Sequence, residues 1–200
     1  NFVAERVDNK LIYKSDNFPN LRGQLSGPAQ ENNARTVLTT VELLAELDYN
    51  IPKDAVYRGF ENVIEITGLM GRWQLLQSDP KVICDIAHNS HGISYVVERL
   101  KSEDFNKLHF IFGMANDKDT DSVMKLLPVN AVFYFTKASV DRALDEKILA
   151  GSAANYGLKG DNYPNVSEAV KAAIKNADKE DLIFIGGSSF IVADALPLFI

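Results

Sequence analysis

From about residue 70 onward, the sequence alternates between apolar segments of strand length and amphipathic segments of helix length. The strand-like segments cover residues 73–76, 82–85, 108–112, 131–135 and 182–185. Between two of them, Ile93, Val96, Val97 and Leu100 recur at helical spacing. Strands this uniformly apolar are typical of a parallel sheet that is covered by helices on both faces. The pattern therefore predicts a doubly wound, mostly parallel, Rossmann-like α/β domain over residues 69–200.

Residues 1–68 follow a more irregular pattern, with two short strand-like segments before the first helix. That helix carries an apolar stripe from Val37 to Leu47, and a second helix follows it. Residues 66–71 contain two glycines and are predicted to form a linker. Because the chain begins at Asn1 inside a strand-like pattern, we expect this part to be the tail of another domain in a longer protein.

Composition and charge exclude several classes of protein. The net charge of −6 and the isoelectric point of about 5.1 argue against a general nucleic-acid binder, because phosphate contacts need a basic surface. The single cysteine, Cys84, excludes a disulfide framework and a multi-cysteine zinc site. Charged residues interrupt every apolar run well before about 18 residues, so no membrane span is expected. Since no signal peptide is recognisable, the expected compartment is the cytoplasm.

Polar residues collect directly after the predicted strands, which is where open α/β sheets bind their ligands. The residues that follow the strands, in chain order, are Asp85 and His88, then Lys118, then Thr136 and Lys137, and finally Gly187 and Ser188. A carboxylate, an imidazole, lysines and a glycine-rich helix start suit an anionic ligand. We expect all of these segments to meet at one edge of the sheet.

Each of these residues also has a purely structural interpretation. Asp85 could be a turn acceptor, and Asp119 could cap the helix that follows it. His88 and His91 have the spacing of metal ligands, but without a third clear ligand a hydrogen-bonding or phosphate-facing imidazole is favoured and no metal site is predicted. Cys84 lies within a strand and fits inert core better than a nucleophile. The sequence has no Walker-type phosphate loop, so a bound nucleotide would need its main phosphate loop elsewhere.

Five short motifs occur in a defined order along the chain. They are Leu25-Ser26-Gly27-Pro28-Ala29-Gln30-Glu31-Asn32-Asn33-Ala34, Gly71-Arg72-Trp73, Cys84-Asp85-Ile86-Ala87-His88-Asn89, Asp117-Lys118-Asp119 and Gly187-Ser188. In this order and spacing the chain resembles the folylpolyglutamate synthases, which are often bifunctional as dihydrofolate synthases and are related to the muramyl peptide ligases. The most specific elements are the Gly-Arg pair and the Asp-x-Ala-His-Asn motif that follows it. The resemblance covers nearly the whole chain.

The resemblance implies an ATP-dependent ligase that joins L-glutamate to a folate through an acyl phosphate. In such enzymes a central ATPase domain, with the phosphate loop and the Mg²⁺ ligands, precedes a smaller α/β domain. This chain would then comprise the end of the central ATP-binding domain, residues 1–68, and the whole C-terminal ligase domain, residues 69–200. The implied ligands and partners are ATP, Mg²⁺, the folate, L-glutamate and the missing N-terminal ATPase domain. We expect the chain by itself to be inactive.

The resemblance also implies roles for five residues. Asn33, Arg72 and Asp85 would bind the nucleotide, whereas His88 and Ser188 would be catalytic residues that face the phosphoryl group and glutamate. The sheet edge with Asp85 and Ser188 is expected to face Asn33, with Arg72 near the hinge.

Two positions depart from the family pattern, and two other functions stay open. Ile86 replaces a permissive glycine, and Ala29 removes a polar side chain from the usual His-Gln pair. The first alternative function is a muramyl-peptide-type amino acid ligase that shares the nucleotide residues. The second is a nucleotide-binding α/β module without chemistry of its own.

Overall fold

The computed structural model describes residues 2–7, 10–27 and 29–199 of the chain. Its residues fall into two units, one ending at Arg72 and the other beginning at Trp73, and each unit has its own hydrophobic core. Pro28, which belongs to the first of the five motifs, lies outside the described residues.

Among the described residues, the first unit consists of a small antiparallel sheet and three helices. Its elements are β1 (Phe2–Val7), β2 (Lys10–Ser15), β3 (Leu21–Gly23), α1 (Gln30–Glu46), α2 (Lys53–Glu61) and α3 (Val63–Thr67). Leu11 and Tyr13 are two residues apart in β2 and therefore point to the same face of the sheet. They form a core with Leu21 of β3, and α1 adds Ala34 and Leu38 to it.

Two details of the first unit differ from the sequence prediction. The stripe predicted from Val37 to Leu47 is buried at Leu38, whereas Val37 and Leu47 are 46% and 69% exposed. The predicted linker begins later than expected, because residues 66 and 67 still belong to α3. That helix ends where Gly68 adopts a left-handed conformation with a φ of 68°. Glycine adopts this conformation without strain because it has no Cβ.

The second unit is a mixed, mostly parallel α/β domain. Its elements are β4 (Gln74–Gln77), β5 (Lys81–Cys84), α4 (Ser90–Leu100), β6 (Leu108–Phe112), α5 (Thr120–Met124), β7 (Val132–Thr136), α6 (Glu146–Ala154), β8 (Lys159–Tyr163), α7 (Val166–Asn176), β9 (Leu182–Gly186) and α8 (Ser189–Ala195), followed by a short 3-10 helix at Leu196–Leu198. In the described part of the chain, the sheet has six strands in the order β4-β5-β9-β6-β7-β8. Strand β4 is antiparallel to β5, and all other neighbours are parallel. The predicted α/β fold is confirmed.

Alternation of side chains along the strands gives this sheet two cores. In β6, for example, Phe110 and Phe112 belong to one core and Ile111 to the other. The first core is completed by α4, α5 and α6, and the second by α7 and α8. Because both faces are covered, every residue of β6 and β9 is buried, which explains why these strands are apolar apart from His109 of β6.

Helix α6 and strand β8 were not predicted from the sequence. Strand β8 is the outermost strand on its side of the sheet, and its sequence from Lys159 to Tyr163 is polar and largely exposed. An edge strand pairs on one side only, so it does not need the apolar pattern on which the prediction relied. Helix α6 did leave a signal, since Asp145 caps its start and Leu149 and Ala153 are buried four positions apart, but this signal was not recognised.

Candidate functional site

The carboxyl ends of β5, β9 and β6 lie side by side at one edge of the sheet. Parallel pairing aligns Cys84 with Ile185 and Phe112 with Gly186, at the ends of the three strands. The motifs that follow these strands therefore leave the sheet at the same edge, as predicted. The strand order changes here, because β9 is the last strand in the sequence and lies between β5 and β6. Doubly wound sheets bind their ligands at such a point.

Asp85 is a buried carboxylate that holds the start of the second unit in place. Its Oδ2 accepts a hydrogen bond from the backbone amide of Trp73 at 2.9 Å, and its Oδ1 accepts one from Ala87 at 2.9 Å. Trp73 has a φ of 49°, and a left-handed conformation costs a residue with a Cβ roughly 1–2 kcal/mol. The bond from Asp85 helps to offset this cost. The interpretation of Asp85 as a turn acceptor is confirmed, and its role in nucleotide binding stays a prediction.

A pocket of about 160 Å³ lies at the same edge of the sheet. It is lined by His88, Ala115, Lys118, Arg142, Gly187, Ser188, Ser189 and Phe190. These residues come from the segments after β5, β6, β7 and β9, so four strand ends contribute to one pocket. His88 and Ser188, the two predicted catalytic residues, meet in it. Two cations, an imidazole and two hydroxyls beside one aromatic ring suit a small anionic ligand.

The turn between β9 and α8 requires a glycine. Gly187 has a φ of 91°, and a Cβ there would lie 2.5 Å from Cε2 of Phe112 and 2.6 Å from the carbonyl oxygen of Gly113. The next residue, Ser188, begins α8, since its Oγ accepts a hydrogen bond from the backbone amide of Phe190 at 3.2 Å. The tight turn thus brings the Ser188 hydroxyl to the pocket.

His88 is exposed, and its ring is held by the loop that precedes α4. Its Nδ1 lies 3.2 Å from the carbonyl oxygen of Ile86. Asn89 then begins α4 by accepting a hydrogen bond from the backbone amide of Gly92 at 2.8 Å. Ile86, which stands where the family has glycine, does not have a positive φ, and its side chain packs against one core of the sheet. Isoleucine is therefore accommodated at this position without backbone strain.

Lys118 and Arg142 supply the positive charge of the pocket. Nη2 of Arg142 donates hydrogen bonds to both carboxylate oxygens of Asp117, each at 3.0 Å. Burial by itself would raise the pKa of Asp117, but hydrogen bonds and the charge of Arg142 outweigh it and lower that pKa. The ammonium group of Lys118 has no hydrogen-bond or ion-pair partner among the described residues.

Arg142 was not predicted as a site residue from the sequence. It lies in the long loop after β7, and backbone hydrogen bonds join this loop to the one after β6. In one of them the amide of Asn116 donates to the carbonyl of Arg142 at 2.9 Å. The available signal was a cation in the segment after a parallel strand, at the same sheet edge as Lys118.

Three other polar residues near this edge support the fold instead of the pocket. Asp119 caps α5 by accepting a backbone hydrogen bond at 3.1 Å, which confirms its structural interpretation. Lys137 forms ion pairs with Asp145 at 3.3 Å and Glu146 at 2.8 Å. Cys84 is fully buried, and this burial, with the nearby Asp85 charge, raises the pKa of its thiol to about 12. A thiol of this kind is inert core, as predicted.

Asn33 and Arg72 belong to the first unit. Asn33 lies in the first turn of α1, where its Nδ2 donates a hydrogen bond to Oε1 of Gln30 at 3.3 Å. Both side chains border an apolar pocket of about 420 Å³ that is lined by α1 and α2. Ala29, at the start of α1, provides no side-chain cap. Arg72 is half-buried at the end of the unit. The nucleotide-binding roles of Asn33 and Arg72 stay predictions.

Neither a metal cluster nor a membrane span is found in the part of the chain that the structure describes. Within it, no group of three or more His, Cys, Asp or Glu side chains could hold a metal ion. No helix in the same part is long and apolar enough to cross a bilayer. The two histidines with ligand-like spacing make different contacts. His88 lines the pocket, and His91 packs edge-on against Tyr95 with ring centroids 4.9 Å apart.

The chain is similar to several known proteins. The family model of the Mur ligase, glutamate ligase domain, matches residues 71–189. A dihydrofolate synthase/folylpolyglutamate synthase of Escherichia coli is 28% identical over 168 residues, which cover 83% of this chain and 37% of that protein. A UDP-N-acetylmuramoyl-L-alanyl-D-glutamate–2,6-diaminopimelate ligase of Buchnera aphidicola is 30% identical over 165 residues, 78% of this chain and 31% of that protein.

A solved structure extends the similarity to nearly the whole chain. The folylpolyglutamate synthase of Mycobacterium tuberculosis, complexed with ADP, has a TM-score of 0.82 and 26% identity, and the match covers 98% of this chain and 46% of that one. The chain thus spans less than half the length of the proteins that it matches. The family model spans the pocket residues from His88 to Ser189 and more than half of the chain. The chain therefore belongs to the Mur ligase family and carries its glutamate ligase domain.

Proposed function

We propose that the chain is the C-terminal part of a cytoplasmic, ATP-dependent ligase that adds L-glutamate to a folate through an acyl phosphate. Residues 1–68 are then the end of the central ATP-binding domain, and residues 69–200 form the glutamate ligase domain. The observation that carries this proposal is the cationic pocket at the sheet edge, with Lys118, Arg142 and His88. The folate substrate is supported by the names of the similar proteins of E. coli and M. tuberculosis.

The pocket suits an amino acid with two carboxylates. The Lys118 ammonium forms no hydrogen bond or ion pair among the described residues, although its charge helps to lower the pKa of Asp117. The bonds between Arg142 and Asp117 engage only Nη2 of the guanidinium. Both cations therefore keep N–H groups for a ligand, and a charge-assisted hydrogen bond contributes roughly 1.5–3 kcal/mol. L-Glutamate offers one carboxylate to each cation, whereas a neutral amino acid would leave one cation without a partner.

ATP supplies the phosphoryl group that activates the folate carboxylate. We propose Asn33, Arg72 and Asp85 as contacts of the nucleotide, and the ADP complex of the M. tuberculosis protein supports a nucleotide ligand. The planar guanidinium of Arg72 can donate two parallel hydrogen bonds to a phosphate. Asp85 would accept hydrogen bonds from donor groups of the nucleotide, because each carboxylate oxygen can accept more than one. We propose that the Mg²⁺ ligands lie outside the described residues, since these contain no suitable cluster.

A second candidate function is the addition of an amino acid to a muramyl peptide. The observation that favours it is the 30% identity to the diaminopimelate ligase of B. aphidicola. Both candidates use the same sheet edge for the incoming amino acid. They differ in the molecule whose carboxylate receives the amino acid, a folate or a muramyl peptide. Identifying that molecule therefore distinguishes the two functions.

The test is a product analysis with the longer protein that contains this chain. The protein is incubated with ATP, L-glutamate and either a folate or a UDP-N-acetylmuramoyl peptide, and the products are identified by mass spectrometry. We expect the folate to gain a glutamyl residue and the muramyl peptide to stay unchanged. Transfer to the muramyl peptide alone would contradict the folate proposal. Absence of transfer to either acceptor, in protein that binds ATP, would favour a module without chemistry.

A pair of variants then tests the pocket itself. Arg142→Ala is expected to lower kcat/KM for L-glutamate by about 10- to 150-fold, because a charge-assisted contact is lost. Lys125→Ala is the matched control, since Lys125 is an exposed cation at the end of α5 that does not line the pocket. Equal kinetics of the two variants would remove Arg142 from the glutamate site.

A further inference from the structure

We infer that His88 is the base that removes a proton from the ammonium group of the incoming amino acid. The inference rests on the proposed ligase function and concerns one step of it. An amine attacks an acyl phosphate only when its nitrogen has a lone pair. The ammonium group must therefore lose a proton in the site before the C–N bond forms.

The loop before α4 holds the ring of His88 in one tautomer. The carbonyl oxygen of Ile86 lies 3.2 Å from Nδ1, and a carbonyl can only accept, so Nδ1 carries the hydrogen. In the neutral ring, the lone pair then lies on Nε2. A turn fixes the backbone on both sides of Ile86, because Oδ1 of Asp85 accepts the backbone amide of Ala87 at 2.9 Å. The loop thus presents an imidazole whose basic nitrogen is Nε2.

The other side chains that line the pocket are unsuited to accept this proton. Lys118 and Arg142 are cations, and serine hydroxyls are very weak bases at neutral pH. Asp117, which precedes Lys118, does not line the pocket, and both of its oxygens accept hydrogen bonds from Arg142 at 3.0 Å. His88 is left as the proton acceptor.

Amide formation begins when Nε2 of His88 takes one proton from the ammonium group and becomes positively charged. The resulting amine attacks the acyl carbon, and a C–N bond forms. The bond from that carbon to the phosphate oxygen then breaks, and its electron pair stays with the phosphate. The departing phosphate takes the second proton from the nitrogen, which leaves an amide, inorganic phosphate and a protonated His88 that returns its proton to solvent.

An assay with hydroxylamine distinguishes whether His88 acts as a base or merely binds phosphate. Hydroxylamine is largely uncharged at neutral pH, so it attacks an acyl phosphate without a base and gives a hydroxamate. With the longer protein, ATP and the folate, we expect His88→Gln to lower glutamate ligation by about 100-fold, the scale of general-base catalysis. Hydroxamate formation by the same variant should stay within about threefold of wild type. The control is His91→Gln, because His91 lies in the same segment and packs on Tyr95 outside the pocket.

The outcomes distinguish this inference from the proposed function. If wild type forms no hydroxamate from the folate, the acyl phosphate and the proposed function are contradicted. If wild type forms it and His88→Gln loses both reactions equally, His88 serves phosphate binding or activation and the inference fails. Ligation retained in His88→Gln would equally overturn it. Spectra of ¹⁵N-histidine-labelled protein add an independent check: the signal lost in His88→Gln should have the pattern of a ring protonated at Nδ1, and an Nε2–H pattern would contradict the inference.

Discussion

The two ends of the parallel sheet each carry a histidine, and these two histidines differ in burial and in hydrogen bonding. At the amino end, His109 is 1% exposed and uses both ring nitrogens. Its Nδ1 lies 2.9 Å from the hydroxyl of Tyr134, and its Nε2 lies 3.1 Å from Oδ2 of Asp181. At the carboxyl end, His88 is exposed, and within the described part of the chain only its Nδ1 has a hydrogen-bond partner.

The polar groups near the two histidines also differ in how fully they are hydrogen-bonded. Asp181 also accepts the backbone amides of Lys107 at 3.0 Å and Asp178 at 2.9 Å, and the Tyr134 hydroxyl accepts a hydrogen bond from Asn176 at 3.2 Å. In the pocket at the other end, the Lys118 ammonium forms no hydrogen bond or ion pair among the described residues. A buried polar cluster in which every group is paired stabilises the fold, whereas unpaired donors at a strand end are available to a ligand. The difference therefore separates a structural end of the sheet from the end at which we propose that the ligand binds.

Removing the buried carboxylate should have the largest effect on stability. Asp181→Ala leaves His109 and two backbone amides without their acceptor, and the loss of one partner from a buried pair costs about 3–5 kcal/mol. Urea unfolding of the protein should show this decrease in the free energy of unfolding. Glu180→Ala is the matched control, because Glu180 is an exposed neighbouring carboxylate, and it should change that free energy by less than about 0.5 kcal/mol. Similar values for the two variants would contradict a structural role for the amino end.

The pH dependence of stability should report on the same carboxylate. Burial by itself would raise the pKa of Asp181, but hydrogen bonds from Asp178 and His109 outweigh it and hold the pKa below its usual range. A lowered pKa stabilises the folded protein fully above the unfolded value of about 3.9, and this contribution is lost as the pH falls through the folded value. The gap in unfolding free energy between wild type and Asp181→Asn should therefore be constant above about pH 5 and shrink below about pH 4. A difference in unfolding free energy that grows as the pH falls would contradict a lowered pKa of Asp181 in the folded protein.

The central strands could be predicted from the sequence because burial on both faces leaves a strong local pattern. Strand β6 was predicted with its observed ends, and β9 was predicted one residue short. Strand β8 was missed, because an edge strand with the sequence Lys-Gly-Asp-Asn-Tyr has no such pattern. Local propensity and apolar periodicity do not reveal a strand that pairs with a single neighbour, as β8 does with β7.

The candidate site could be predicted only where the motif residues directly follow a strand. His88 and Ser188 were found in this way, and parallel pairing brings them to one pocket. Arg142 was missed because its position depends on a backbone hydrogen bond to Asn116, in a loop that is distant in sequence. Asp85 was predicted as a site residue, but its hydrogen bond from the Trp73 amide was not. This bond depends on the left-handed conformation of Trp73, which the sequence did not indicate.

Kinetics and stability of Lys118→Ala, measured in the same longer protein, test the central claim most directly. The Lys118 ammonium forms no hydrogen bond or ion pair among the described residues, so its removal should change the free energy of unfolding by less than about 0.5 kcal/mol. The same change should lower kcat/KM for L-glutamate by about 10- to 150-fold, while Asp181→Asn lowers stability and leaves kcat/KM unchanged. Unchanged glutamate kinetics in Lys118→Ala would contradict the assignment of the carboxyl end of the sheet as the glutamate site.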